Sequence, residues 1–218
     1  LISGPGATWN AGTLSIDGRS TASTVTVEDR GRLTTAGTVM TKGTVIVDGF
    51  VSGLGTPASW DLTGSLQLGT SQVGLASVVV AEGGRFDVSD NMDVGASGMA
   101  PGDGAVTVQT GGQVTVGDTI TVNRFSAVEL LDGDIHTGSF IIDPDGTFTH
   151  EDGTLTVDGG TFNPGPAGYT VAGASGTDLP SVVLTNGAAG SVGGLMIVGK
   201  DFDGEVSIEN GAVLTVGS

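Results

Sequence analysis

The sequence predicts an all-β fold, a parallel β-helix or β-solenoid built from short strands, and three observations carry that expectation. Glycine supplies 40 of 218 residues while 5% of the chain is aromatic and 14% charged. A core must therefore come from small aliphatics, and the recurring Val, Ile and Thr suit a pleated surface better than a helix. One short template also recurs along the chain, and no ten-residue helical period appears that would supply crossover helices.

The template is apolar-x-apolar, three turn residues, glycine, one residue, apolar. It stands first at Val25-Thr26-Val27 with Gly31 and Leu33, and again at Val78-Val79-Val80 with Gly84 and Phe86. Further copies begin at Val106, Phe140 and Val206. Upstream of the first two copies lies another shared unit. Ala7-Thr8-Trp9 followed by Gly12-Thr13-Leu14 is echoed by Ala58-Ser59-Trp60 followed by Gly64-Ser65-Leu66. Equivalent positions predict that Trp9 and Trp60 pack between turns.

Asp-Gly pairs punctuate the chain at Asp17, Asp48, Asp103, Asp132, Asp145, Asp152, Asp158 and Asp203, and Asn-Gly pairs stand at Asn186 and Asn210. These mark turns, with glycine supplying the positive φ of a bend. Asp-Gly is also the favoured hairpin turn, which keeps an antiparallel sandwich or meander in view. The whole chain, 1–218, reads as one solenoid domain, with its least regular stretch at 163–180 taken as a loop or a junction between sub-blocks.

The run "GPGATW…GTLSIDG…STVTVEDRGRL" and its partner "GTPASW…GSLQLG…SVVVAEGGRF" resemble the autotransporter-associated β-strand repeats of large secreted bacterial surface proteins, including those with PEP-CTERM sorting tails. The likeness covers somewhat over half of the chain and is thin across 123–194. It implies a right-handed parallel β-helix, export, and a place outside the cell or on its surface. Leu1-Ile2-Ser3-Gly4 resembles an interior element at 50–53, and Val213-Leu214-Thr215-Val216 resembles the strand that would precede it. The chain thus reads as starting and stopping in mid-repeat. Uncapped solenoid ends predict head-to-tail assembly of the chain with itself, a heterologous contact that builds fibres.

Composition narrows function. With 24 acidic against 7 basic residues the formal charge is −17, which repels nucleic acid and anionic lipid. No apolar run is long enough for a membrane helix, so membrane insertion is not expected. There is no cysteine for disulfides or thiolate metal sites.

The best acidic cluster is Asp143, Asp145, Glu151 and Asp152, beside His150. Calcium takes oxygens from such turn-rich patches, so these four carboxylates are the metal candidates, calcium the only cofactor considered. Against this, Asp occupies turns because its side chain bonds the local backbone. A thinner acidic stretch runs from Asp87 to Asp93. No catalytic constellation is expected: Lys42, Lys200 and the arginines Arg19, Arg30, Arg32, Arg85 and Arg124 form no cluster with acids and aromatics, and His136 and His150 read as exposed face or turn residues. The expectation is a structural solenoid, a secreted filament subunit or stalk and not an enzyme, with a surface adhesin or binder of extracellular glycans as the alternative and a polysaccharide-active enzyme on a β-helix ranked after both.

Overall fold

The computed structural model describes residues 1–17, 23–49, 56–70, 74–96, 103–199 and 202–217. Gly18, Arg19, Lys200 and the element at 50–55 lie outside them. The protein is all-β, with no helix among the described residues, its strands stacked as a β-solenoid of about eight turns. Among the described residues every ladder is parallel, from Ile2–Ser3 on Thr24–Glu28 to Ala189–Val192 on Val213–Val216. The hairpin reading of the Asp-Gly pairs therefore falls.

Each turn has three faces. The first carries Thr24–Glu28, Ala76–Ala81, Gly104–Val108, Ala127–Leu130 and Thr147–His150. The second carries Ser59–Leu62, Arg85–Val88, Thr154–Asp158 and Ser181–Thr185, and the third Leu66–Leu68, Met92–Val94, Thr161–Asn163 and Ala189–Val192. A single 17-residue strand, Arg32–Asp48, passes over all three. Its inward residues are Leu33 and Thr35, then Thr38 and Met40, then Val45 and Val47. The in–out alternation changes phase at each corner, and this turns a two-residue period into a closed coil.

Parallel registers stack inward residues into columns. On the first face Ile2, Val27, Val47, Val80, Val108, Leu130 and His150 stand one above another. On the second, Trp9, Leu33, Trp60, Phe86 and Val114 do so. Trp9 and Trp60 thus share a column, as the repeat predicts. Trp60 is sealed (0% exposed) and stacks on Phe86 with centroids 4.4 Å apart, while Trp9, on the outermost turn, is 42% exposed. The polar atoms around Trp60 are satisfied locally: Trp60 Nε1 donates to Thr35 Oγ1 at 3.0 Å, and Thr35 and Thr38 hydroxyls bond at 3.2 Å.

Glycine serves a purpose other than the one expected at most Asp-Gly pairs. Asn186-Gly187 and Asn210-Gly211 take positive φ at both residues, as tight turns require. Gly49, Gly104, Gly133, Gly146 and Gly204 do not. At all of these but Gly104, where it would meet Gly95 N at the end of the preceding strand, a Cβ would meet main-chain atoms of the adjoining turn, 2.4 Å from Gly112 O at Gly133 and 2.2 Å from Val171 O at Gly204. These glycines let one turn settle on the next.

The first-face ladder is interrupted once. It runs without a gap to Thr147–His150, whose partner is the preceding Ala127–Leu130. The following first-face strand, Tyr169–Val171, pairs with Met196–Val198 on its far side. Among the described residues no ladder joins Thr147–His150 to Tyr169–Val171. The second and third faces continue across the same level, through Thr154–Asp158 on Ser181–Thr185 and Thr161–Asn163 on Ala189–Val192. The local cause is in the corner. The preceding one, 143–146, is tied to its turn by Asp143 N donating to Val122 O and Gly146 N to Asp143 O. The next one is Pro164-Gly165-Pro166-Ala167-Gly168, with φ of 91° at Gly165 and 95° at Gly168; here Gly165 N, the position in line with Asp143, donates to Asn163 Oδ1 of its own turn at 3.1 Å. Within 163–180, then, one short strand lies off the preceding ladder, followed by a loop to Ser181.

Candidate functional site

The interruption opens a cleft of about 420 Å³ on the first face. Phe148, Thr149 and His150 line one lip, and Gly168, Tyr169 and Thr170 the other. Side chains bridge the two lips where main chain does not. Phe148 and Tyr169 rings lie 5.8 Å apart and nearly parallel, and His150 Nδ1 is 2.8 Å from the Tyr169 hydroxyl.

His150 ends a column of aliphatics and is buried, correcting its assignment as an exposed turn residue. Its Nε2 lies 3.0 Å from Gly153 O, a pure acceptor, so Nε2 carries the proton and Nδ1 accepts from the Tyr169 O–H. Burial pushes the imidazole below its ordinary pKa, opposed by the hydrogen bond to Gly153 O and the nearby Asp152. Burial likewise pushes Tyr169 well up, so the phenol keeps its proton. The pair is a neutral, satisfied element of the core. A signal for it was present: His150 stands two residues after Phe148, the closing apolar position of the fourth template copy, and alternation sends both inward. His136, by contrast, is on the outer surface, 3.7 Å from Asp158.

The proposed calcium residues divide between two corners. Asp143 and Asp145 precede the strand Thr147–His150, and Glu151 and Asp152 follow it. Asp145 Oδ2 accepts from Arg124 Nη2 at 2.8 Å, and Asp152 Oδ1 accepts from the main-chain N–H of Gly153 and Leu179. Among the described residues no three of His, Cys, Asp or Glu stand close enough to hold a metal ion. Turn chemistry accounts for Asp152 as it stands.

A second grouping was missed in the sequence. Arg30, Arg32 and Arg85 surround a shallow pocket of about 380 Å³ with Asp61 and Asp87, with no aromatic among its lining residues. Parallel register places Asp61 and Asp87 side by side on consecutive turns. Arg32 Nε donates to Asp61 Oδ2, and Arg85 Nε to Asp87 Oδ2, both at 2.6 Å. Two stacked carboxylates repel, and the guanidinium groups offset that. These pairs are solvent-exposed, each worth about 0–1 kcal/mol.

Comparisons with protein-family models, with curated proteins and with solved structures give no match for this chain. The reading of function rests on geometry and on the repeat template.

Proposed function

We propose that the protein is a structural solenoid, a stiff extracellular rod or stalk element that lengthens by stacking turn upon turn, copies joining head to tail. One observation carries the reading: parallel ladders stack the second-face and third-face strands in register from turn to turn, from Thr8–Asp17 on Arg32–Asp48 to Ala189–Val192 on Val213–Val216. A lattice of this kind extends by repetition, since each turn pairs with the main-chain edge of the one before it and covers its inward side chains. The template's resemblance to secreted surface repeats supports the extracellular setting, and the −17 charge favours lengthwise over side-by-side association, since charged flanks repel.

The test is sedimentation velocity with negative-stain electron microscopy over a concentration series. Rods of constant width that lengthen with concentration, and that shorten when Ile208→Lys or Trp9→Lys is introduced, are the expected result. A strict monomer at the highest concentration would overturn the assembly.

A further inference from the structure

We infer that the first-face cleft accepts an extended, basic peptide segment as an added β-strand, a binding role independent of end-to-end assembly. In a parallel ladder each residue sends its N–H and C=O to the same neighbour, and successive residues alternate between neighbours. Thr147 N donates back to Ser126 O and Glu151 N back to Leu130 O. The alternation therefore aims the N–H and C=O of Phe148 and His150 forward, into the cleft. On the other lip Tyr169 N donates forward to Leu195 O, and Val171 O accepts from Gly199 N. Thr170 therefore aims its N–H and C=O backward, into the same cleft. Among the described residues no ladder joins these lips, and Phe148, His150 and Thr170 are all at the cleft's lining.

Two facing edges with alternating donors and acceptors are a template for backbone, and the partner that matches them is a strand. A sugar or a flat heterocycle has no such repeat. The inner floor of Phe148 and Tyr169 suits an apolar side chain on the strand's inward residue, and the outer threonines Thr147, Thr149 and Thr170 leave its alternate side chains in water.

Charge selects the occupant. From residue 125 to residue 199 there are nine Asp or Glu and no Lys or Arg. Acids flank the lip strand Thr147–His150 in the chain, Asp143 and Asp145 before it and Glu151 and Asp152 after it. Arg124 is taken up by Asp145. A short strand with an alternating apolar centre and a basic residue at each end complements this arrangement.

The probe is acetyl-Lys-Val-Thr-Val-Lys-amide, titrated into the intact protein at low salt with residue-resolved NMR. Saturable shifts at Phe148, His150 and Thr170 are expected, with affinity falling at least tenfold when alternate peptide nitrogens are methylated. The Glu-flanked analogue should also bind at least tenfold more weakly. Thr170→Pro removes a lip N–H and Thr149→Lys adds positive charge at the lip while leaving the main chain intact; each should lower affinity at least fivefold, in protein whose circular dichroism is unchanged. Equal binding of the N-methylated peptide overturns the proposal, as does absence of binding. Affinity unchanged in both variants overturns it too, because the peptide would then sit elsewhere on the acidic surface. Lip shifts produced by cellohexaose and not by the peptide would assign the cleft to a glycan and overturn the strand.

Discussion

Two aromatic sites on consecutive turns behave differently. Trp60 and Phe86 stack at 4.4 Å over strands that pair residue for residue, whereas Phe148 and Tyr169, at 5.8 Å, lie under a gap in the ladder. Ring separation does not decide the matter, since Phe140 and Phe162 sit 6.5 Å apart on strands that do pair. What differs is how each strand is delivered. Arg85 N donates back to Ala58 O and Thr147 N back to Ser126 O, tying each incoming strand to the turn before it. Tyr169 N instead donates forward to Leu195 O, after a corner whose Gly165 N turns to Asn163 Oδ1, and His150 and Tyr169 make the contact through side chains.

The largest effect that would sharpen this comparison is truncation in the closed region. Trp60→Ala should cost about 3–5 kcal/mol by urea unfolding, the range for a buried aromatic deleted from a packed core. Tyr169→Ala removes a ring beside existing space and should cost less than Trp60→Ala. Equal losses would mean that the cleft region is packed like the rest.

Next comes the close approach of turns at glycine. A Cβ at Gly117 would lie 2.1 Å from Ser89 O, while at Gly37 nothing stands within 4 Å. Gly117→Ala should cost about 1–3 kcal/mol, the usual range for overpacking, and Gly37→Ala should be neutral to within about 0.5 kcal/mol.

A smaller, pH-dependent effect belongs to His150. Its folded pKa is depressed by burial below the ordinary 6.5, so below that pH the unfolded chain binds a proton that the folded protein resists. Stability attributable to His150 is complete above about 6.5 and falls as pH drops through 6.5 toward the folded value. Unfolding free energies at pH 7.5, 6.5 and 5.5 should show the decline, and His150→Phe should flatten it.

The sequence was informative about whatever depends on local periodicity. Alternating aliphatics and a repeated template predicted parallel strands in a solenoid, and matching units put Trp9 and Trp60 in one column. It was uninformative about which face a template copy occupies. Copies at 25–27, 78–80 and 106–108 lie on the first face, but 140–142 lies on the third and 206–208 on the second. Unequal turn lengths set that placement. The same limit hid the Arg32–Asp61 and Arg85–Asp87 group, whose members meet only once consecutive turns are in register. It also obscured the glycine role, because Gly133 and Gly204 are required by a neighbour distant in sequence. His150 was misplaced for a different reason: a titratable residue in a turn-rich stretch reads as exposed until its alternation with Phe148 is followed inward.

The most direct test of an otherwise continuous solenoid opened on one face is amide hydrogen exchange resolved by residue. Val106, Val128 and Leu130 occupy the same first-face columns as Phe148 and His150, one and two turns earlier. Their N–H groups should be strongly protected, while those of Phe148, His150 and Thr170 exchange orders of magnitude faster, in a region whose second-face amides at Val182 and Leu184 stay protected. Protection of Phe148 and His150 equal to that of Val128 and Leu130 would show the ladder closed and contradict the account.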